Sequence, residues 1–377
     1  MDFALTEEQE MLRKMARDFL ATRCPKKLVR EMEKDERGYP PDLWQEMAGL
    51  GWMGLAFPES YGGGGGTFLD LAVLLEEMGR GCLPGPFFST VLLGGLTVLT
   101  AGSEAQKKEF LPKIAQGKLI ASLAVVEPTA KFEPTTMSTA ASPDGDKFVL
   151  NGTKLFVSDA QVADWLVVAC RTKKGTNKRD GISLLLAKAG TPGLSVTPLK
   201  TIAGDKQAEV TFKSTAVDKG SVLGELDKAW PTLEKIFQYA AVGKCAEMVG
   251  GLQQVLEMTV SYVKERIQFD KPIGTLQAIQ HHCANIAIDL DGCRFITYQA
   301  AWALSQGIPC AREVSIAKAW VSDSYRRCLA IAHQVNGAMG FTEDHDLPLY
   351  YRRAKAAEIA FGDGDVHREL VAKEMGL

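Results

Sequence analysis

The stretch Glu358–Glu369, EIAFGDGDVHRE, sets two glycines and two aspartates after Phe361, in a chain that otherwise reads as helix there. Asp363 and Asp365 carry carboxylates, groups able to take a proton from a carbon acid. The competing reading is that Asp in a Gly-rich turn satisfies backbone N–H groups. A second constellation is VSYVKERIQFDKPIGTLQAIQHH. Arg266 and Gln268 end a long helix beside Phe269 and present hydrogen-bond donors to a diphosphate, or they simply cap the helix in solvent. In HQVNGAMGFTED, Gly337 and Gly340 are three apart after a helix. They either admit a ligand closely or, as one GxxG favours, form a helix C-cap. In VVEPTA and KLFVSD, Phe156 and Ser158 face a flat aromatic group or pack in a core.

The elements that position these residues follow from periodicity. Residues 1–117 read as helices. Thr6 with Gln9 spells a capping box, and Leu12, Met15, Phe19 and Leu20 share a face. PESYGGGGG interrupts them. It lacks the preceding strand and following Lys-Ser/Thr of a phosphate loop and reads as a flexible surface turn. Residues 118–223 switch to period two, with six or seven short strands, as in a small sandwich or barrel. The short basic run Arg171–Asp180 reads as a solvated hairpin tip. Residues 224–377 return to long apolar helices, the pattern of a four-helix bundle, with Gly250–Gly251 a close-packing point. The fold class is thus α+β and multidomain.

The 377 residues are 46% hydrophobic and 24% charged, with net charge -3. Nothing in that balance draws the chain to nucleic acid. No apolar run spans a membrane, and the acidic N-terminus is not a signal peptide. Eight scattered cysteines form no CxxC, no His stands at zinc-ligand spacing, and no metal site is expected. Free cysteines suit a reducing compartment, here read as the cytoplasm.

Together the motifs resemble the acyl-CoA dehydrogenase family of flavoproteins over essentially the whole chain. RIQFDKPIGTLQAIQH is similar to that family's RxQFGxPIxxFQxxxH, and QVNGAMGF to QxxGGxGF. VLNGTKLFVSDAQVADWLVV is similar to VLNGxKxWITNAxxADxxVV, YYRRAK to a YRDAR or RRAK segment, and PESYGGGGG to PExYGGxG. The resemblance implies a helical domain, a β domain and a C-terminal bundle, with FAD held between the β domain and the bundle. It implies that a second subunit brings Arg266, Gln268 and Phe269, with Gln334, Gly337 and Gly340, to its neighbour's FAD in a dimer or tetramer. It implies α,β-dehydrogenation of an acyl-CoA, with hydride passing to the flavin and electrons to an electron-transfer flavoprotein.

The sequence departs from this pattern at the base. The family's IYEGTxxIxR, laid on IAFGDGDVHR, puts Phe361 where the Glu stands, followed by Gly362. Phe takes no proton. The alternative family position on the long helix falls on Ala240 and Ala241, and the pocket floor shows Ser89 and Thr90 without a carboxylate. VEPTAKFEP replaces a flavin-contacting Thr by Val126 and a Ser by Phe132. Three readings follow: an active dehydrogenase with a relocated base, such as Asp363 or Asp365, and an unusual cyclic or unsaturated substrate; one subunit of a hetero-oligomer whose homologous partner carries the Glu; or a non-enzymatic FAD-binding homologue.

Overall fold

The computed structural model describes residues 4–129, 137–173 and 179–377. The chain divides into two compact units, the first Met1–Arg30, Thr67–Leu83 and Ala241–Leu377, the second Glu31–Gly66 and Pro84–Ala240. The N-terminal helical segment is therefore shared between both units instead of forming one body.

The helices are α1 Glu7–Arg23, α2 Lys26–Lys34, α3 Pro41–Gly49, α4 Phe68–Gly81, α5 Leu96–Ala101, α6 Glu104–Ala115, α7 Trp230–Glu265, α8 Gln277–Ser305, α9 Ala311–Asn336, α10 Leu347–Ile359 and α11 Gly364–Glu374. In the first unit, Thr6 and Gln9 make the expected reciprocal capping box on α1. Ala16 and Leu20 are buried there, whereas Met15 is 43% exposed, against the reading that placed it on the inner face. Helices α8 and α9 pack along each other, and α10 and α11 pack on α9. The glycine pair of α7 is the close-packing point expected of it. A Cβ on Gly250 would stand 1.7 Å from the Glu76 carbonyl oxygen of α4, and one on Gly251 2.2 Å from the Tyr325 hydroxyl of α9. Gly250→Ala is expected to cost about 2–3 kcal/mol by forcing α7 off α4, read as a lower thermal midpoint.

The second unit is built on one mixed sheet. Its strands are β1 Ala121–Ala124, β2 Ala140–Asp144, β3 Lys147–Ser158, β4 Trp165–Arg171, β5 Ile182–Lys188, β6 Leu194–Leu199, β7 Gln207–Asp218 and β8 Val222–Leu223. The order is β6-β7-β3-β2-β4-β5-β8, with β1 parallel to β4. Strands β4 and β5 carry the buried runs LVVAC and ISLLLA. They form a hairpin around the basic run 171–180, of which 174–178 lie outside the described residues. Period-two reading missed β2, AASPD, because its apolar content is low and it contains a proline; its register comes from the hairpin to β3.

The five-glycine turn is not a loose one. The N–H groups of Gly63, Gly64, Gly65 and Gly66 donate to the carbonyls of Pro58, Gly54, Phe57 and Leu55. A Cβ on Gly63 would lie 2.1 Å from the Phe57 carbonyl oxygen. Its amides are spent internally, so it offers no anion cradle.

Candidate active site

In the second unit, the flavin-type motif sits on a β-bulge. The pairing of β3 with β7 slips between Lys154 and Val157, and Phe156 falls in the gap at φ +55°. A bulge re-aims a side chain. Phe156 is accordingly 50% exposed, not packed in the core. Ser158 follows, its carbonyl accepting from the Ser122 hydroxyl. Val126 is buried and gives its carbonyl to the Leu155 N–H at 2.8 Å. Phe132 lies outside the described residues.

Behind this edge stands a buried ion pair that pattern reading passed over. Lys154 Nζ donates to Glu127 Oε1 at 2.7 Å and to the Val125 carbonyl at 3.1 Å. Glu127 also accepts from the N–H and hydroxyl of Ser138 and from the N–H of Thr139. Burial alone would raise the Glu127 carboxyl; the Lys154 ammonium and Ser138 outweigh it and hold it at about 2. A lysine in an otherwise apolar alternation, VLNGTKLFV, was the available signal.

Ser89 and Thr90 are fully buried in a π-helical segment, Phe88–Gly95. Their hydroxyls are engaged: Ser89 donates to Asp159 Oδ2 at 2.6 Å, and Thr90 accepts from the Ala121 N–H. The segment itself carries no carboxylate, as read from the sequence, but Asp159, just after β3 and at φ +53°, meets Ser89 from seventy residues away.

In the first unit, the long helix ends at Glu265 and a tight hairpin follows, β9 Ile267–Gln268 against β10 Lys271–Pro272. Its central residues, Phe269 at φ +54° and Asp270 at φ +60°, lie in the left-handed region that such two-residue turns need. Phe269 is 82% exposed, and Arg266, Gln268 and Gln334 are exposed as well. Gly337 is the C-cap of α9 at φ +59°, its N–H donating to the Gln334 and His333 carbonyls. Gly340 is buried, with no room for a Cβ beside Asn336. Val263, Ile273 and Val335 share one apolar cluster, with Tyr262 and Ile331 against it. That cluster brings the Arg266–Phe269 hairpin and the Gln334–Gly340 turn to one end of the unit, next to an apolar cavity of about 370 Å³.

The loop after α10 is held by hydrogen bonds on both sides of Phe361. Phe361 has φ +58° and Gly362 φ +96°. Asp363 is the N-cap of α11, and its Oδ1 accepts from the N–H groups of Asp365 (3.1 Å) and Val366 (2.9 Å). Asp365 is exposed and pairs with Arg368 at 2.8 Å. Two buried groups that sequence reasoning missed hold the loop from behind. Lys318 Nζ donates to the Glu358 and Gly362 carbonyls, each at 2.9 Å, and to the Ser322 hydroxyl. The ring Nε2 of His367 meets the Phe361 carbonyl at 3.0 Å. Burial pushes Lys318 down to about 8 and His367 down to about 4. The neutral imidazole therefore donates from Nε2. Its Nδ1 is sealed from solvent, which bars it from reaching a substrate carbon.

The first unit thus carries an exposed ring, Phe269, on left-handed backbone beside the exposed Arg266 guanidinium, and the second carries an exposed ring, Phe156, on its bulge. Three family models match in sequence: acyl-CoA dehydrogenase N-terminal domain at residues 6–118, middle domain at 122–215 and C-terminal domain at 228–376. The chain is 32% identical to the acryloyl-CoA reductase (NADH) of Anaerotignum propionicum, over 100% of this chain and 96% of the relative. It is 31% identical to the probable acyl-CoA dehydrogenase YngJ of Bacillus subtilis, over 100% of both. Butyryl-CoA dehydrogenase from Megasphaera elsdenii superposes with a TM-score of 0.92 at 27% identity, over 100% of each chain. A structure described as the electron transferring flavoprotein of Acidaminococcus fermentans also gives 0.92, at 29% identity over 100% of this chain and 99% of that one.

The chain belongs to the acyl-CoA dehydrogenase family. It is an oxidoreductase acting on acyl-CoA, and FAD is its cofactor. The residues present fit FAD. Taken unit by unit, the second offers the exposed ring of Phe156 and lacks at Val126 the hydroxyl a Thr would add, while the first offers the exposed ring of Phe269 and the exposed Arg266 guanidinium, groups that suit a flat ring and a phosphate. Among the described residues, no cluster of His, Cys, Asp or Glu is placed to hold a metal ion, and no helix is long and apolar enough to cross a membrane. All eight cysteines are free thiols.

Proposed function

We propose that this chain serves the α,β-dehydrogenation of an acyl-CoA thioester as the subunit lacking the base, and that a homologous partner subunit supplies the carboxylate. FAD, when bound, accepts the β-hydrogen as hydride. Electrons then leave for an electron-transferring flavoprotein. The name of the Acidaminococcus fermentans neighbour supports that acceptor. Arg266, Gln268 and Phe269, with Gln334 and the turn at Gly337 and Gly340, hold the cofactor's phosphates and ring across a subunit boundary. The observation that carries the assignment is the state of the loop. Phe361 fills the base position, Asp363 is committed to capping α11, and Asp365 faces Arg368. With the loop's own carboxylates so engaged, the base is assigned to the partner subunit.

The purified chain, alone and co-expressed with its nearest homologous gene, is incubated anaerobically with straight-chain, branched, dicarboxylic and alicyclic acyl-CoAs. Flavin absorbance is expected to bleach only in the co-expressed sample. Bleaching by the lone chain overturns the partner requirement.

One observation favours the relocated-base reading. Asp363 is exposed, and both capping bonds go to the same oxygen, Oδ1. Asn caps a helix as well as Asp does. Asp363→Asn thus removes basicity and keeps the cap: a fall in turnover of about a hundredfold or more is expected if Asp363 is the base. Unchanged turnover excludes it.

A further inference from the structure

We propose that Lys318 and His367 are positioning residues that fix residue 361 in its left-handed conformation whatever side chain it carries, so that this chain keeps a complete scaffold for a carboxylate under a phenylalanine. The proposal rests on the reading that position 361 is where the base of this family stands.

The geometry is over-determined for a phenylalanine. A large side chain at φ +58° is strained, and such conformations persist only where surrounding structure enforces them. Here the enforcement comes from main-chain acceptors on both sides of the residue. Lys318 takes the Glu358 and Gly362 carbonyls, and His367 takes that of Phe361. Asp363 closes the far side by capping α11. None of these bonds involves the side chain at 361, so replacing it leaves all of them in place. Both clamping residues are withdrawn from solvent, with Lys318 at 0% and His367 at 5% exposure.

The electrostatics point the same way. The three donors of the Lys318 ammonium go to three neutral oxygens, those of Glu358, Gly362 and Ser322. A desolvated cation held by dipoles projects positive potential onto its surroundings. The titratable groups around it are Cys245 and Lys244 of α7, Asp363, Glu358 and His367, so no anion stands at 361 itself to use that potential. A carboxylate placed there would; a phenyl ring does not.

The test uses FAD-loaded protein, with its partner if the partner is needed for loading. Butyryl-CoA in D2O is the probe. Exchange of its α-hydrogens requires only binding and a base. Phe361→Glu is expected to raise α-exchange at least a hundredfold over the parent chain. Adding His367→Ala should cut that gain at least tenfold and strip hydrogen-exchange protection from amides 361–366, with FAD content unchanged. Adding Lys318→Met should move the acid limb of the exchange profile upward by at least half a pH unit, because the buried cation no longer favours the anion. A merely structural role would lower the melting temperature without moving that limb.

If Phe361→Glu exchanges and neither second substitution changes its rate, its acid limb or amide protection, the clamp is wrong. If Phe361→Glu binds butyryl-CoA but does not exchange it, the assignment of 361 as the base position fails; the clamp is then judged by amide protection in His367→Ala alone. Should Lys318→Met fail to fold, His367→Ala and His367→Gln decide: protection lost in Ala and kept in Gln supports the clamp, and protection kept in both overturns it.

Discussion

Lys154→Met is expected to destabilise the second unit by about 3–5 kcal/mol, the cost of leaving a buried carboxylate without its partner. Glu127 then keeps only the Ser138 and Thr139 donors, in a site from which solvent is excluded. Glu127→Gln should cost less, about 1–3 kcal/mol, because the amide oxygen still accepts those bonds. The pH dependence separates the two variants. The Glu127 carboxyl, at about 2 in the folded chain against 4.5 as its ordinary value, is depressed by folding. Its contribution is therefore present above pH 4.5 and is lost as pH falls from 4.5 to 2, to a total of about 3 kcal/mol. In Lys154→Met, burial is unopposed by the ammonium and that acid arm should vanish or reverse. Denaturant midpoints at stepped pH read the effect. An unchanged acid arm in Lys154→Met would show that Ser138 and Thr139, not the ammonium, hold the carboxylate. Because the same lysine holds the Val125 carbonyl next to Val126, FAD content should fall with stability.

The second large effect lies in the first unit and at milder pH. His367 is held near 4, chiefly by burial and further by repulsion from Lys318, while its bond to the Phe361 carbonyl acts in the opposite direction. A histidine depressed by folding stays neutral in the native state while the unfolded chain takes the proton. Stability is complete above pH 6.5 and falls as pH drops from 6.5 to 4, by about 3 kcal/mol at the lower end. Hydrogen exchange should show the loop around Phe361 loosening first, since protonation adds a second cation beside Lys318. His367→Gln should flatten this slope while leaving the lower arm of Glu127 in place. A slope between pH 6.5 and 4 that persists in His367→Gln would assign it to another group.

Much of this protein was legible in its residue order. The helix, strand and turn classes followed from periodicity. The Arg266, Gln334 and Val149–Val168 motifs pointed to one family, and the capping box at Thr6 was readable from two residues. Position 361 was also legible, because the surrounding Ile359, Gly362 and Arg368 fix the register of the loop. Where the reading went astray, the missing information was a hydrogen-bond partner that no local pattern announces. Five glycines looked loose because no local pattern tells of carbonyls at Gly54 to Pro58. Asp159 was overlooked as the partner of Ser89 because seventy residues separate the two.

The sequence by itself thus determined the family, its cofactor and the absence of a carboxylate at Phe361. Only the tertiary structure decided what holds that position. Periodicity reports which face of an element is buried, because burial is a property of side chains in series. A backbone conformation such as that of Phe361, or of Phe156 on its bulge, is set by hydrogen bonds to groups that meet only on folding. Lys318 stands 40 and 44 residues from the two carbonyls it grips. Asp363, by contrast, is engaged locally, its Oδ1 capping α11 through the N–H groups of Asp365 and Val366, so it is the conformation of Phe361, not the cap beside it, that had to wait for the fold.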